Sequence, residues 1–253
     1  MNSISRYFLP AAQWKDCQLT LTDDEAHHCT RVLRSKLGET VEVFDGEGRS
    51  AQGEIFSLCK DQVEISLNKE PSLSNKPPGI HLIQAIPKGG NMELIVQKAV
   101  ELGISSIQPL ITEHTIVRSE QMEKKTAKWQ RIALEACKQC GQNYLPTILP
   151  VQKFSHWIEA KQSAELNLVA ALLPNSLPFT EAFSSKLKSA SFLIGPEGDF
   201  SDKEYEKITS AGYLPVTLGD IVLRVETATL YCLSVIKHEL ARTTSSHELI
   251  LFY

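Results

Sequence analysis

Two loops in the C-terminal third hold residues whose types and spacing could do chemistry. The first reads Leu193-Ile194-Gly195-Pro196-Glu197-Gly198-Asp199-Phe200, and the second Leu218-Gly219-Asp220-Ile221-Val222-Leu223-Arg224-Val225-Glu226-Thr227-Ala228. Each joins a short apolar run to a helical pattern, where glycine lets a ligand touch the main chain. Phosphate at a helix N-terminus is one general use of such a loop. Here the lysine and Ser/Thr of a phosphate-binding loop are missing, and Glu197 and Asp199 would repel phosphate. Carboxylates beside glycine suit a cationic or hydroxyl-rich ligand. The second loop adds a guanidinium, Arg224, and a carboxylate, Glu226. Two such loops in one region imply a cofactor pocket.

The elements that must position these loops alternate between strand and helix. His81–Ile86 reads as a strand, and Asn91 as the cap of a helix burying Met92, Ile95, Val96, Ala99 and Leu102. Ile107–Ile111 is a strand, followed by a long helix ending at Gly141. Strands follow at Leu166–Leu173, Ala190–Ile194 and Pro215–Leu218, and Ser201-Asp202-Lys203-Glu204 is a capping box. This order predicts an α/β fold with a mainly parallel sheet. Residues 1–72 instead show short alternating strands, around Val41, Val43 and Val63, Ile65, Leu67, with one helical piece near 23–33. They predict a small β-barrel. A Pro/Gly/Ser-rich linker at 73–79, the α/β domain at 80–243 and a tail at 244–253 complete the organisation. The apolar tail end, Leu249–Tyr253, is expected to pack at a subunit contact.

A chain of 253 residues can form one large domain or two small ones. No apolar run approaches the roughly 20 residues that span a bilayer. Met1–Arg6 lacks a signal peptide's apolar core, so a cytoplasmic protein is expected. Six cysteines in this length do not make a disulfide framework, which fits a reducing compartment. The net charge of −4 excludes bulk electrostatic capture of nucleic acid. Residues 1–75 hold 8 Lys/Arg against 12 Asp/Glu, while the remainder balances at 18 each. Any RNA must therefore be held by local patches.

The two loops together resemble the SPOUT class of S-adenosylmethionine-dependent RNA methyltransferases, and the whole chain resembles its RsmE family, which methylates N3 of a uridine in 16S ribosomal RNA. The resemblance runs through Arg6-Tyr7-Phe8, Arg31-Val32-Leu33-Arg34 and Phe44-Asp45-Gly46. It continues through Lys88, Met92-Glu93, Gln97–Gly103, Trp129–Ala133 and Ala136–Gly141 to both loops. It implies a PUA-like β-barrel, an α/β domain threaded as a trefoil knot, a homodimer, and 16S rRNA in the small ribosomal subunit as partner. It also implies S-adenosylmethionine against Gly195, Glu197 and Gly198 of the first loop and Leu218, Gly219, Leu223 and Thr227 of the second, with Leu172 as a third wall.

The same resemblance makes Arg224 and Glu226 the catalytic candidates. Uracil N3 is a poor nucleophile until its proton leaves, and Arg224 could stabilise the charge this puts on the carbonyl oxygens. Glu226 is expected to orient Arg224 rather than act as the base, because an ordinary glutamate is a weak base at neutral pH. Arg6, Arg31, Arg34 and Lys36 in the barrel are the RNA candidates, with Lys88. His114 and Arg118 read equally as site residues or ordinary loop polar groups. Three positions leave the family pattern: Asp199 replaces a usual glycine, Ile221 an arginine, and Gln142 an arginine.

Cys137-Lys138-Gln139-Cys140 could suggest zinc, but both thiols fall at core spacing on a helix and no second such pair exists, so no metal is expected. Lys124, Lys125, Lys128, Arg131 and Lys138 form the opposite, solvated face. Two other functions compete. A non-catalytic RNA-binding assembly factor is disfavoured by the intact Arg224 and Glu226, and a nucleotide-phosphate enzyme by the acidic first loop.

Overall fold

The computed structural model describes residues 4–14, 17–116, 122–160, 164–183 and 187–244. Two compact units form: Met1–Lys76 with Leu134–Leu145, and Pro77–Ala133 with Pro146–Tyr253. Residues 245–253 of the tail expected at 244–253, and Arg118, lie outside the described residues.

The first unit contains β1 (Arg6–Phe8), β2 (Gln18–Thr22), α1 (Asp23–His27), β3 (Thr40–Phe44), β4 (Arg49–Leu58), β5 (Gln62–Leu67) and β6 (Ser72–Leu73). The strands run in the order β1-β3-β4-β5-β2, with β6 on β4, and the sheet curls into a half-barrel. Only β1–β3 is parallel. Alternation decides the inside: Leu19, Leu21, Val41, Val43, Val63 and Ile65 are fully buried and meet Tyr7 and Ile55 in one core. The helical piece read near 23–33 is α1 followed by a wider π-type turn, His28–Leu33, which Arg34 ends in the left-handed region at φ 54°. That turn leaves Val32 and Leu33 exposed beside Arg31 and Arg34.

The segment Leu134–Leu145 completes this unit and overturns two sequence expectations. Arg6 is no surface cation. Its side chain is 8 % exposed, donates to Cys137 O (2.8 Å), pairs with Glu42 (3.4 Å), bonds Asn143 Oδ1 and stacks 4.6 Å from the Phe44 ring centroid. Lys138 likewise leaves the solvated face. Its ammonium is equally buried and pairs with Glu25 and Glu135. Of the two thiols expected inside, Cys137 is buried, and desolvation pushes it up to about 12, whereas Cys140 is exposed. No cluster of three metal-ligating side chains occurs among the described residues.

The second unit contains β7 (Gly79–Ala85), α2 (Asn91–Glu101), β8 (Ser106–Ile111), α3 (Met122–Cys140, whose last turns belong to the first unit), β9 (Thr147–Ile148), β10 (Gln152–Lys153) and α4 (Phe154–Trp157). It continues with β11 (Leu166–Ala170), β12 (Leu177–Pro178), β13 (Ser189–Ile194), α5 (Asp202–Ser210), β14 (Leu214–Thr217) and α6 (Val225–Thr244). The sheet order is β10-β8-β7-β13-β11-β14-β12, with β9 on β8, and every pairing is parallel. β13 is buried over its last five residues, as a strand covered on both faces must be. On one face Phe154, Trp157, Tyr205 and Ile208 close over Ile83, Leu110, Val169 and Leu193. α6 contacts α2, β7 and β13, anchored by a buried bond from Thr229 to Gln84 Oε1 (2.8 Å). Because β13 inserts between β7 and β11, the C-terminal ends of β13, β11 and β14 stand side by side. Both glycine loops leave from there.

Candidate active site

A cavity of about 490 Å³ opens at those strand ends, within the range of small-molecule sites. β11 runs out at Ala170, earlier than its apolar run suggested, so Ala171 and Leu172 form a loop wall. β13 supplies Ile194, Gly195, Pro196, Glu197 and Asp199, and the segment after β14 supplies Leu218, Gly219 and Ile221–Glu226. The position is where parallel sheets usually bind ligands, beyond the carboxyl ends of strands at a switch in strand order.

Glycine is needed at two of these places for different reasons. A Cβ on Gly195 would sit 3.1 Å from the Phe200 ring and 3.2 Å from Asp199 Oδ1. Gly219 has a φ of 122°, which L side chains rarely adopt, and open space around it. The Asp199 that replaces a usual glycine also has positive φ, 60°. Aspartate tolerates this region by bonding locally, and here Oδ1 accepts from Phe200 N and from Tyr205 Oη, both at 2.8 Å. The carboxylate is thus spent on holding the loop.

Of the cofactor residues expected, Leu172, Gly195, Glu197, Leu218, Gly219 and Leu223 line the cavity. Gly198 and Thr227 do not. Gly198 turns away to pack on His114, where a Cβ would approach within 3.1 Å. Thr227 is exposed on the first turn of α6 while its neighbours Val225, Glu226 and Ala228 face the cavity. Asn91 lines the cavity and was missed. It is the first residue of α2 rather than its cap, and its side chain donates to Glu226 Oε2 (3.3 Å). A signal existed in the Gly89-Gly90 pair, which precedes that helix start and faces open space.

Arg224 and Glu226 both line the cavity, but they are not paired. Residues two apart at a helix start do not face each other. Glu226 is engaged by Asn91, and the Arg224 guanidinium has no hydrogen bond or ion pair among the described residues. The orienting role expected for Glu226 is therefore not formed. Glu197 accepts from Lys88 N (2.9 Å), tying the Lys88 loop to the first glycine loop, and the Lys88 side chain stays exposed. Three carboxylates against one guanidinium give the lining an excess of negative charge, which suits a ligand with positive charge.

His114 braces this loop from outside by donating from Nδ1 to Asp199 O (2.9 Å). That bond raises its pKa above the usual value of about 6.5. The extra stability that the charged ring draws from this bond should be fully present below about 6.5 and lost as pH rises through the raised folded value. An NMR titration of the His114 ring should show a midpoint above that of an unfolded peptide control, and equal midpoints would contradict the brace.

The remaining RNA candidates, Arg31, Arg34, Lys36 and Lys88, are all exposed. Ile221 is 72 % exposed at the cavity mouth, and Gln142 is half-buried. Among the described residues no helix is long and apolar enough to cross a membrane.

Comparison with known proteins places these features in context. The family described as RNA methyltransferase domain matches residues 74–237, and that described as RNA methyltransferase PUA domain matches 21–68. The chain is 31 % identical to ribosomal RNA small subunit methyltransferase E of Buchnera aphidicola subsp. Acyrthosiphon pisum, over 86 % of each chain. It is 30 % identical to the Bacillus subtilis protein of the same name, over 87 % of this chain and 90 % of that one. Two solved structures carry S-adenosylmethionine. A methyltransferase from Legionella pneumophila shares 33 % identity at a TM-score of 0.85, and ribosomal RNA small subunit methyltransferase E from Neisseria gonorrhoeae 30 % at 0.84. Each alignment covers 93 % of this chain and 98 % of the other.

Proposed function

The chain belongs to the ribosomal RNA small subunit methyltransferase E family, with its PUA-like and SPOUT domains, and from that premise we propose that it methylates N3 of a uridine in 16S rRNA, using S-adenosylmethionine. The observation that carries the cofactor reading is the cavity at the ends of β11, β13 and β14, with its glycine-lined walls and surplus of carboxylates. Gly195 and Gly219 would admit the cofactor against main chain, with Leu172, Leu218 and Leu223 as apolar walls and Glu197 near its positive charge. When bound, S-adenosylmethionine supplies a methyl group on a sulfonium.

The chain's own contribution is then positioning and electrostatics. Arg224 lies at the cavity with its donors uncommitted among the described residues and would bond the uracil oxygens as negative charge grows on them. Asn91 holds Glu226 in the wall, so Glu226 would meet the uracil without being spent on Arg224. The target base would be turned out of its helix to reach the cavity. Exposed Arg31, Arg34 and Lys36, with Lys88, would hold RNA phosphates, which position the substrate without reading its sequence.

The test is mass spectrometry of 16S rRNA from small subunits lacking the modification, after incubation with protein and cofactor. A methyl group on uridine N3 is expected, and its absence refutes the assignment. Calorimetry with S-adenosylmethionine separates this reading from that of a non-catalytic assembly factor, which would give no binding heat.

We further propose that the protein works as a cytoplasmic homodimer. Leu172, Ile221, Val222 and Tyr231 are 62 %, 72 %, 80 % and 42 % exposed in the second unit, three of them at the cavity. Large apolar side chains clustered around a functional cavity mark an interaction surface. Sedimentation should give twice the chain mass, and Ile221→Asp with Val222→Asp should return it to a monomer. A monomeric wild type would end the proposal.

A further inference from the structure

We propose that Lys153, Lys203 and Lys207 form an anion-binding groove that grips the phosphate backbone of the RNA substrate beside the cofactor cavity, an inference that rests on the rRNA methyltransferase reading above. The three lysines line a second cavity of about 350 Å³ in the second unit, walled by the ends of β8 and β10 and by α5. All three are exposed, and none makes an ion pair or hydrogen bond among the described residues. Lys203 and Lys207 lie one turn apart on α5, a like-charge spacing that costs helix stability. An external anion would relieve that repulsion directly.

The groove keeps a net positive charge, three lysines against the carboxylates of Glu113 and Glu204. Glu204 is buried, and its two oxygens accept from Glu113 N and Ser201 N, both at 3.0 Å. That carboxylate therefore serves the backbone. The Ser155 hydroxyl on the rim is a further donor without a partner among the described residues. Glu113 alone remains an exposed opposing charge, which sets the groove to hold an anion loosely and reversibly.

Position favours a nucleic-acid phosphate over a free anion. β8 and β10 run parallel to β13, so the groove opens at the same sheet edge as the cofactor cavity. Only β7 separates β8 from β13, so those two strands, one at each opening, lie roughly 10 Å apart at the usual strand spacing. The first glycine loop leads directly into α5 and so connects them. A nucleotide placed at the cavity would carry its flanking backbone along this end of the sheet.

The experiment measures binding of small subunits lacking the modification across a potassium chloride series. Three proteins are compared: the wild type, the K153Q/K203Q/K207Q variant and the K153R/K203R/K207R variant. The glutamine variant should bind on the order of tenfold more weakly at physiological salt, with the slope of log affinity against log salt shallower by about 2. The arginine variant should match the wild type, and all three should bind S-adenosylmethionine equally. Unchanged affinity and slope in the glutamine variant would overturn the proposal. So would weaker binding with an unchanged slope, which assigns the groove to a ribosomal protein. A wild type that binds with the expected slope but transfers no methyl group would leave the groove standing and remove the enzymatic reading.

Discussion

Arg224→Ala should lower kcat for rRNA methylation about 10²–10³-fold, a loss of roughly 3–4 kcal/mol of transition-state stabilisation, while S-adenosylmethionine still binds as in the wild type. The size follows from geometry. The guanidinium lies at the cavity and has no hydrogen bond or ion pair among the described residues. It is free to answer the charge that develops on the uracil oxygens, and its removal opens no hole in the core. Arg224→Lys should recover part of the loss, since it restores charge without the planar fork. Single-turnover rates with saturating cofactor provide the measurement. Weakened cofactor binding with an unchanged single-turnover rate would assign Arg224 to the cofactor instead.

Arg6→Ala should destabilise the first unit by about 3–5 kcal/mol and leave the salt dependence of RNA binding untouched. The guanidinium is enclosed by Cys137 O, Asn143, Glu42 and the Phe44 ring, so truncation strands a half-buried carboxylate and two acceptors. Denaturant unfolding followed by circular dichroism should show the loss as a lower midpoint. A stable variant with a shallower salt slope would return Arg6 to the RNA surface.

Arg6 also shows what was legible in the sequence and what was not. Strand positions, the parallel α/β pattern and both glycine loops follow from local periodicity and punctuation, and six of eight expected cofactor residues meet at one cavity. The failures are all failures of direction or of distant partnership. Arg6 finds Cys137 and Lys138 finds Glu25 across more than a hundred residues, which no local window reports. Gly198 and Thr227 belong to the right loop and the right helix turn but point out of the cavity, a matter of one residue's rotation. The Lys153, Lys203, Lys207 groove joins residues fifty positions apart that form no motif. The expected pairing of Arg224 with Glu226 ignored that positions two apart diverge at a helix start.

The placing of Leu134–Leu145 with Met1–Lys76 has a consequence for how the protein is made. Arg6, Ser50 and Ser74 bond to residues of that segment, so the first unit cannot close its hydrogen bonds when residue 76 leaves the ribosome. It must wait until the chain has been translated through Leu145, a delay of roughly 4–14 s at ordinary elongation rates. During that interval the half-barrel would hold Arg6 against Glu42 but without Cys137 O and Asn143 Oδ1, and a nascent chain stalled before residue 134 should be open to proteases at its N-terminal strands.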